Sequence, residues 1–371
     1  MKFNTVMTYQ PYGCKNICSV AFLNTFPTAG CEAISNWKYK RALIIFDTNI
    51  SKLTVKKIKQ LFQKKNAVVN ATSFIYGRKS LDKIIPIWEA MVDFVPDVIV
   101  GIGGGTVSDL VGFAASTYQR GIPHILFPTT VLGMIDASIG GKTAIDFHGV
   151  KNCIGAIHYP EFVINITELL KSLPQEEFFS GFSEAVKAAV LFDRDFFLLL
   201  DQYATKKDFL YTNPYLFQIM KKSASLKMQN SEVPTQHKIK LLYGHAVGHA
   251  LETLANGRLR HGDAISIGIT IEGAIACILK IWDKKEWEKQ TRLLEKLHLP
   301  ILVPKKYNSQ VITEKMKLYK KLVTQDAFAF VFPQKIGQVA TTCQDNFLTY
   351  VKQDEFLKLF NQALLFIHKN S

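Results

Sequence analysis

The chain has 371 residues, 48% of them hydrophobic, with 45 basic and 31 acidic side chains and a net charge of +14. This length allows two domains with well-developed cores, and no apolar run reaches the roughly 18 residues of a membrane span. The N-terminal residues contain no apolar stretch of the signal-peptide kind, so we expect a cytoplasmic protein that does not enter a membrane.

The positive charge points to an anionic ligand, either nucleic acid or a small molecule. No RNA-binding or zinc-finger signature is present, and the lysines of residues 52–65 alternate with apolar residues at helical spacing, as on a solvated helix face. An anionic small-molecule substrate explains the charge as well as nucleic acid does; the partner we expect is the small molecule, with no nucleic acid. Cys14 and Cys18 could form half of a metal site, but no second close pair completes it, so free thiols are expected.

Strands and helices alternate through the first half of the chain. Four short apolar runs are typical of buried parallel strands: residues 42–46, 67–72, 97–102 and 122–127. Helical spacing lies between them, at residues 81–94, at residues 109–117 and after Ser51, a residue type that caps helices. This alternation predicts an α/β domain over residues 1–174 with a doubly wound, mostly parallel sheet.

A glycine turn joins a predicted strand to a predicted helix at residues 103–106. Glycines let backbone N–H groups approach a phosphate, and a helix N-terminus favours negative charge, so this turn could hold an anion. The motif is not a strict GxGxxG, and a tight turn without a ligand is the alternative. Asp47, Thr129 and Thr130 also follow predicted strands, at the sheet edge where ligands bind.

Residues 133–143 and 149–152 are rich in Gly, Asp, Lys and Asn, which we take as too polar for the core. A purely structural loop would not need two lysines, an aspartate and an asparagine among its glycines. We expect a substrate loop whose lysines meet an anion.

Residues 175–371 are predicted to form a second, mainly α-helical domain, with a short strand pair near residues 328–332. Glu184 and Lys187 lie three residues apart on one helical face, which is either an ordinary surface ion pair or, given their apolar neighbours, a buried polar site.

Three histidines stand close together in the sequence of this second domain. His245 and His249 are four residues apart, which puts them on one helical face, and His261 begins a further glycine-containing turn. Two such imidazoles can share a metal, or divide a metal role from a proton-transfer role. A core helix that merely carries histidines is the alternative.

Six motifs occur in order along the chain: GGGTVSDLVGFAASTYQRG, PTTVLGMIDASIGGK, KNCIGA, GFSEAVK, YGHAVGHALE and RHGDA. Together they resemble the 3-dehydroquinate synthases and their sugar phosphate cyclase relatives. The resemblance implies an NAD-binding domain at residues 1–174, a metal- and substrate-binding domain at residues 175–371, a homodimer, and NAD plus one divalent metal ion, zinc or cobalt, as cofactors. It implies a phosphorylated sugar that is oxidised, loses phosphate, is reduced again and closes a ring by aldol addition.

The resemblance also assigns roles to individual residues. Glu184, His245 and His261 would be the metal ligands, a set that suits a Lewis-acid metal with open positions. His249 would relay protons. The ring hydroxyls would be held by three side chains: Asp136, Lys187 and Lys227. The substrate phosphate or carboxylate would be bound by a further set: Lys142, Asn152, Lys238, one of Lys320 or Lys321, and Arg120 from the other subunit. NAD would be held by a set drawn from the strand ends: Asp47, Gly104, Gly105, Thr106, Asp109, Thr129, Thr130 and Lys151.

The chain departs from the family pattern at three places. Lys238 and Leu242 stand where dehydroquinate-forming members usually have Arg and Asn, and neither replacement reproduces their hydrogen bonds. The cofactor motif Gly-Glu-x-x-Lys lacks its Glu near Gly77, and the stretch between Lys227 and His245 is shorter than usual.

Three functions are compared. The first is a carbon–oxygen lyase that converts 3-deoxy-arabino-heptulosonate 7-phosphate to 3-dehydroquinate in aromatic amino acid biosynthesis, with 2-deoxy-scyllo-inosose synthase as a related cyclase. The second is a metal-dependent, NAD-linked alcohol or glycerol dehydrogenase, which would release NADH. The third is a regulator that binds NAD or sugar phosphate without turnover.

Overall fold

A computed structural model describes residues 4–14, 17–27, 34, 37–74, 77–148, 150–205, 213–233, 235–318, 323–342 and 347–370. The chain forms two compact units. Unit 1 comprises Met1–Phe178 and Lys227–Val233, and unit 2 comprises Phe179–Leu226 and Pro234–Ser371.

Unit 1 is built on a seven-stranded sheet. Its strands are β1 (Asn4–Tyr9), β2 (Cys18–Leu23), β3 (Arg41–Asp47), β4 (Val68–Phe74), β5 (Val98–Gly103), β6 (His124–Pro128) and β9 (Phe162–Ile166), and a separate hairpin is formed by β7 (Lys142–Phe147) and β8 (Val150–Ile157). The order across the sheet is β1-β2-β9-β6-β5-β3-β4, and only the β1–β2 pair is antiparallel. The prediction of a mostly parallel sheet is confirmed.

Three helices accompany the sheet in unit 1: α1 (Lys52–Gln63), α2 (Leu81–Phe94) and α3 (Gly105–Thr117). The Ser51 hydroxyl caps α1 by accepting a hydrogen bond from the Thr54 N–H at 3.1 Å. One core cluster joins residues of β3, β5, α2 and α3, among them Leu43, Ile99 and Leu110. The carboxyl ends of β3 and β5 are thereby fixed beside the start of α3.

The segment predicted to be a polar loop is partly core. Residues 133–137 form a π-helical turn in which Met134 and Ile135 are buried, and β7 and β8 pair as an antiparallel hairpin. The expectation that this segment is too polar for the core is wrong for residues 133–143, because Met134, Ile135 and Ile139 are buried there, whereas Val150 in the second stretch is 51% exposed. Of its polar residues, Ser138 and Thr143 are buried, Asp136 is half-buried and Lys142 is exposed.

A buried histidine gives unit 1 a specific acid sensitivity. His124 opens β6, is fully buried, and stacks on His158 with ring centroids 5.0 Å apart. Burial, with a smaller effect of His158, lowers the pKa of His124 from 6.5 to about 3. The unfolded chain therefore takes up a proton below pH 6.5 that the folded chain excludes, so folding stability falls as the pH drops from about 6.5 towards 3.

We expect His124→Phe to gain stability relative to the natural chain as the pH falls, by about 1.4 kcal/mol for each pH unit well below 6.5. Thermal unfolding midpoints of both proteins at pH 7.5, 6 and 5 measure this. His148→Asn, at an exposed position, is the control and should show no such relative gain. A constant difference between His124→Phe and the natural chain at all three pH values would contradict the prediction.

Unit 2 is mainly helical, as predicted. Its helices are α4 (Gln175–Ser180), α5 (Phe182–Phe192), α6 (Arg194–Ala204), α7 (Pro214–Ser231), α8 (His245–Ala255), α9 (His261–Ile278), α10 (Lys284–Lys296), α11 (Ser309–Met316) and α12 (Gln353–Asn370). Helices α4 and α7 each contain a boundary between the two units, so part of each belongs to unit 1. Two small antiparallel pairs complete it: β10 (Ala327–Phe330) with β13 (Thr349–Lys352), and β11 (Pro333–Lys335) with β12 (Gln338–Val339).

Helices α8 and α9 approach each other backbone to backbone. A Cβ atom at Gly268 of α9 would lie 2.0 Å from the carbonyl oxygen of Gly244, and one at Gly248 would lie 3.1 Å from that of Ala264. Only glycine allows the contact at Gly268, and the contact at Gly248 is tighter than most Cβ atoms make. Within the described residues, α9 alone is long and apolar enough to cross a bilayer, but 83% of it is buried in the protein, and core helices pass the same test.

Candidate active site

Three helices of unit 2 bring the predicted metal ligands together. Glu184 lies in the first turn of α5, while His245 and His261 are the first residues of α8 and α9. Their ligand atoms all lie within 4.8 Å of one another. The Oε1 atom of Glu184 is 3.7 Å from Nε2 of His245 and 3.5 Å from Nε2 of His261. One carboxylate oxygen thus faces two imidazole nitrogens.

This donor set fits a divalent metal ion. Oε1 of Glu184 is buried and has no hydrogen-bond partner among the described residues, whereas its other oxygen pairs with Lys187. Burial alone would raise the pKa of Glu184, but Lys187 and the two histidines hold it well below its usual range. An ionised, unpartnered oxygen beside two imidazoles is a donor set that zinc or cobalt accepts.

The orientation of His245 leaves its Nε2 atom available as a ligand. Burial, followed by the charge of Lys187, lowers the pKa of His245 well below its usual value, so the ring is neutral. Its Nδ1 lies 3.1 Å from the carbonyl oxygen of Tyr243 and donates its proton there. The lone pair therefore sits on Nε2, which faces Glu184.

His261 differs from His245 in the direction of its pKa shift. Burial would lower its pKa, but the carboxylates of Glu184 and Glu252 outweigh burial and raise the pKa to about 9. Its Nδ1 lies 3.3 Å from Oε2 of Glu252. A metal ion therefore has to displace a proton from this ring.

His249 lies beside the three ligands without belonging to the group. Its ring centroid is 5.1 Å from that of His245 and 5.9 Å from that of His261. The cluster of possible ligands found among the described residues does not include it. This position agrees with a proton-transfer role that is separate from metal binding.

The three side chains expected to hold ring hydroxyls are all paired. In unit 2, Lys187 is buried and forms an ion pair with Glu184. In unit 1, Lys227 at the end of α7 donates to Oδ1 of Asp136 at 2.6 Å. This hydrogen bond brings together two residues that lie 91 positions apart in the sequence.

The glycine turn of unit 1 fits the phosphates of a dinucleotide. Gly104 is the N-cap of α3, no side chain caps this helix, and its first turn holds no acidic residue. A Cβ atom at Gly104 would lie 3.1 Å from Cγ2 of Thr130, so a larger residue would crowd the turn. The N-terminus of α3 is half-buried and presents backbone N–H groups that can meet an anion.

The other predicted cofactor residues of unit 1 lie at neighbouring strand ends. Asp47 is buried at the end of β3, and its carboxylate accepts from the Asn49 N–H at 2.8 Å. After β6, the Thr129 N–H donates to the Gly103 carbonyl at 2.9 Å, and the Thr130 hydroxyl accepts from Gly133 N–H at 2.9 Å. Two further residues predicted to bind the cofactor are half-buried: Thr106 in α3 and Lys151 in β8.

Asp109 is engaged in a contact that the sequence analysis missed. Its carboxylate forms an ion pair with Lys79 and accepts a hydrogen bond from the Ala144 N–H. Burial raises the pKa of Asp109, and Lys79 counteracts the rise. The available signal was an aspartate on an otherwise apolar helix, since a buried carboxylate requires a cation.

The predicted phosphate-binding residues are not side by side in the hairpin. Lys142 pairs with Ile157 at the open end of the hairpin. The Asn152 N–H donates to Asp146 near the turn of the hairpin. Asp146 lies four residues after Lys142 on β7, which is about 13 Å along the strand at about 3.3 Å per residue. Arg120 is exposed in the turn after α3. Lys320 and Lys321 lie outside the described residues, and so does the side chain of Lys238.

The sequence patterns also gave no sign of the role of Glu272 in α9, which holds the start of α8 in place. Its carboxylate is fully buried and accepts from the Gly244 N–H at 2.7 Å and the Val247 N–H at 3.1 Å, at the start of α8. Burial raises its pKa to about 8, and these backbone donors counteract the rise. Glu272 therefore caps α8, whose own N-cap, Gly244, has no side chain.

Glu272→Gln should destabilise unit 2 by about 1–3 kcal/mol, because an amide N–H₂ would replace one of the two accepting oxygens and face backbone donors. Urea unfolding followed by circular dichroism measures the loss. Glu295→Gln, on the exposed face of α10, is the matched control. Equal unfolding midpoints for the two variants would show that the cap contributes nothing.

The fold is that of the sugar phosphate cyclases. A solved structure of 2-deoxy-scyllo-inosose synthase complexed with carbaglucose-6-phosphate, NAD⁺ and Co²⁺ matches with a TM-score of 0.83 and 22% identity, over 96% of this chain and 100% of that one. The 2-epi-5-epi-valiolone synthase of Streptomyces hygroscopicus subsp. jinggangensis 5008, with NAD⁺ and Zn²⁺ bound, matches with a TM-score of 0.79 and 22% identity, over 95% and 97% of the two chains.

Sequence comparison gives the family within this fold. The profile of the 3-dehydroquinate synthase N-terminal domain matches residues 76–180, and that of the C-terminal domain matches residues 181–322. The 3-dehydroquinate synthase of Prochlorococcus marinus strain MIT 9215 is 36% identical over 87% of this chain and 90% of its own length. The chain belongs to the 3-dehydroquinate synthase family.

Proposed function

We propose that this chain converts 3-deoxy-arabino-heptulosonate 7-phosphate into 3-dehydroquinate and inorganic phosphate. The observation that carries the proposal is the meeting of Glu184, His245 and His261 around an unpartnered carboxylate oxygen, in a chain whose curated relatives are 3-dehydroquinate synthases. The reaction cleaves a carbon–oxygen bond to phosphate, so the enzyme is a lyase. We place it in the cytoplasm as a homodimer, with exposed Arg120 serving the other subunit.

We assign the metal to Glu184, His245 and His261, and NAD to the glycine turn before α3. The bound metal supplies a Lewis acid that polarises a hydroxyl or carbonyl oxygen of the sugar. Bound NAD supplies a hydride acceptor that is restored within the same turnover. The solved cyclase structures that contain NAD⁺ with Co²⁺ or Zn²⁺ support both assignments.

The protein's own side chains orient the substrate and move protons. Lys187, Asp136 and Lys227 are charged and largely withdrawn from solvent, so each can hold a hydroxyl by a charge-assisted hydrogen bond. Nδ1 is the ring nitrogen of His249 that faces Glu252, 3.6 Å from its Oε2 atom, so we assign proton transfer to the other ring nitrogen, Nε2. His249 can therefore exchange a proton with the substrate through Nε2.

The test is turnover of a substrate panel by metal-loaded protein with NAD. Inorganic phosphate release and product mass are followed for 3-deoxy-arabino-heptulosonate 7-phosphate, glucose 6-phosphate and glycerol. We expect phosphate release with the first substrate and no net NADH. NADH accumulation with glycerol would identify a dehydrogenase, and binding of NAD without turnover of any compound would identify a regulator; either result would overturn the proposal.

A second candidate is a cyclase that acts on another sugar phosphate, such as glucose 6-phosphate. Leu242 is the reason to test it, because a leucine side chain offers no hydrogen bond to the heptulosonate where the dehydroquinate-forming pattern has Asn, although Leu242 also departs from the Glu of the glucose 6-phosphate cyclases. Phosphate release from glucose 6-phosphate but not from the heptulosonate would support this candidate.

Leu242→Asn should raise kcat/KM for the phosphorylated keto acid by roughly tenfold, the effect of one added hydrogen bond, if the heptulosonate is the substrate. Leu241→Asn, at the neighbouring half-buried position, is the control and should gain nothing. Steady-state kinetics with both variants decide the matter. No gain in Leu242→Asn would favour the second candidate.

A further inference from the structure

One carboxylate of α8 faces two of the three histidines. Glu252 lies one turn after His249, and its side chain is 10% exposed. Its Oε2 atom is 3.3 Å from Nδ1 of His261 and 3.6 Å from Nδ1 of His249. The same oxygen therefore meets a proposed metal ligand and the proposed proton-transfer group.

We propose that Glu252 is a positioning residue that fixes the ring orientation and tautomer of His261 through a hydrogen bond and biases those of His249 through an electrostatic contact. The inference rests on the proposed metal role of His261. It extends that proposal to a residue that touches neither the metal nor the substrate.

The physical reason is the geometry of imidazole. A carboxylate that accepts a hydrogen bond from Nδ1–H, as Glu252 does from His261, leaves the lone pair on Nε2, the ligand atom of His261. A carboxylate 3.6 Å from Nδ1 of His249 favours the same tautomer there, with Nε2 left as the proton-exchanging atom.

The contrast with His245 provides an internal reference. Nδ1 of His245 donates to the backbone carbonyl of Tyr243, not to Glu252. The orientation of His245 should therefore survive any change at position 252. A generally disordered helix would instead disturb His245 together with the other two rings.

An ordinary ion pair would have a different geometry. The three-residue spacing of His249 and Glu252 occurs on any helix surface, and exposed pairs of this kind contribute little. Here Glu252 is buried and also reaches His261, which lies on another helix. The contact thus ties α8 to the first residue of α9.

The first experiment measures metal affinity in the full-length protein. Cobalt and zinc are titrated in competition with a chelator into the natural chain, Glu252→Leu, Glu252→Gln and the exposed control Glu295→Gln. We expect Glu252→Leu to bind metal about 10- to 100-fold more weakly, and Glu252→Gln to lose less because its amide oxygen still accepts one proton. Glu295→Gln should match the natural chain.

The second experiment observes the tautomers directly. Nitrogen-15 spectra of the histidine side chains in zinc-loaded protein should show the proton on Nδ1 of His249 in the natural chain. In Glu252→Leu the proton should redistribute between the two nitrogens of His249, while His245 stays unchanged. Glu252→Gln provides the same readout if the leucine variant does not fold.

A third measurement separates the effect of Glu252 on metal binding through His261 from its effect on proton transfer through His249. In a His249→Ala background, Glu252→Gln should still weaken metal binding through His261, but it should slow turnover at saturating metal little further. Unchanged metal affinity and unchanged histidine spectra in Glu252→Leu would overturn the inference. Because metal titration and spectra do not require turnover, failure of the proposed reaction would appear separately, as an inactive natural chain.

Discussion

Glu184→Gln is expected to lose the metal and abolish turnover. A neutral amide oxygen is a poor ligand for a divalent cation, and Glu184 supplies the only carboxylate in the ligand group found among the described residues. We expect metal affinity to fall by more than about 100-fold, beyond the range seen when only a supporting residue is changed. Metal content after dialysis, measured by mass spectrometry, and phosphate release together test this.

A matched variant guards against simple misfolding in this test. Lys187 is buried and pairs with Glu184, so the single substitution leaves a buried ammonium without its partner, at a cost of about 3–5 kcal/mol. Glu184→Gln combined with Lys187→Met removes that charge, and should fold while still lacking metal. Metal content equal to that of the natural chain in either folded variant would refute the ligand assignment.

His249→Ala should have the opposite pattern: full metal content with little turnover. The ring of His249 adjoins the ligand group but is not part of it, so its removal leaves all three ligands in place. Loss of one proton-transfer group is expected to reduce kcat by about 10²- to 10⁴-fold. Metal analysis and steady-state kinetics on the same preparation measure both quantities.

Loss of metal from His249→Ala would mean that the roles of the histidines have been exchanged. His249→Gln is a useful companion, because it preserves side-chain volume and hydrogen bonding but cannot relay a proton at neutral pH. It should be as inactive as His249→Ala. Substantial activity in His249→Gln would show that the residue orients the substrate and does not transfer a proton.

The sequence predicts most of the fold where a pattern is both local and strong. Leu81–Phe94 is helical over the predicted range, because its apolar residues recur at helical spacing. The buried strands β3 and β5 are found because parallel strands covered on both faces are continuously apolar. Strand β1, at the sheet edge, mixes polar and apolar residues and carries no comparable signal.

The candidate site is predictable only where motif and spacing define it. Glu184, His245 and His261 follow from the family motifs, and the structure brings them together. The contacts of Lys79 with Asp109 and of Glu272 with the start of α8 join residues that are distant in sequence. Such contacts depend on how elements pack, and no local periodicity encodes them.

Helix α9 carries the proposed metal ligand His261 at its first residue and the cap of α8, Glu272, eleven residues later, so both lie on nearly the same face after three turns. The length of α9 between His261 and Glu272 sets the distance between these two contacts with α8. Substitutions along its other faces leave that spacing intact, but inserting or deleting a single residue between His261 and Glu272 would turn one of them away by about 100°. Any graft of this site onto another scaffold therefore has to carry the whole interval at its native length.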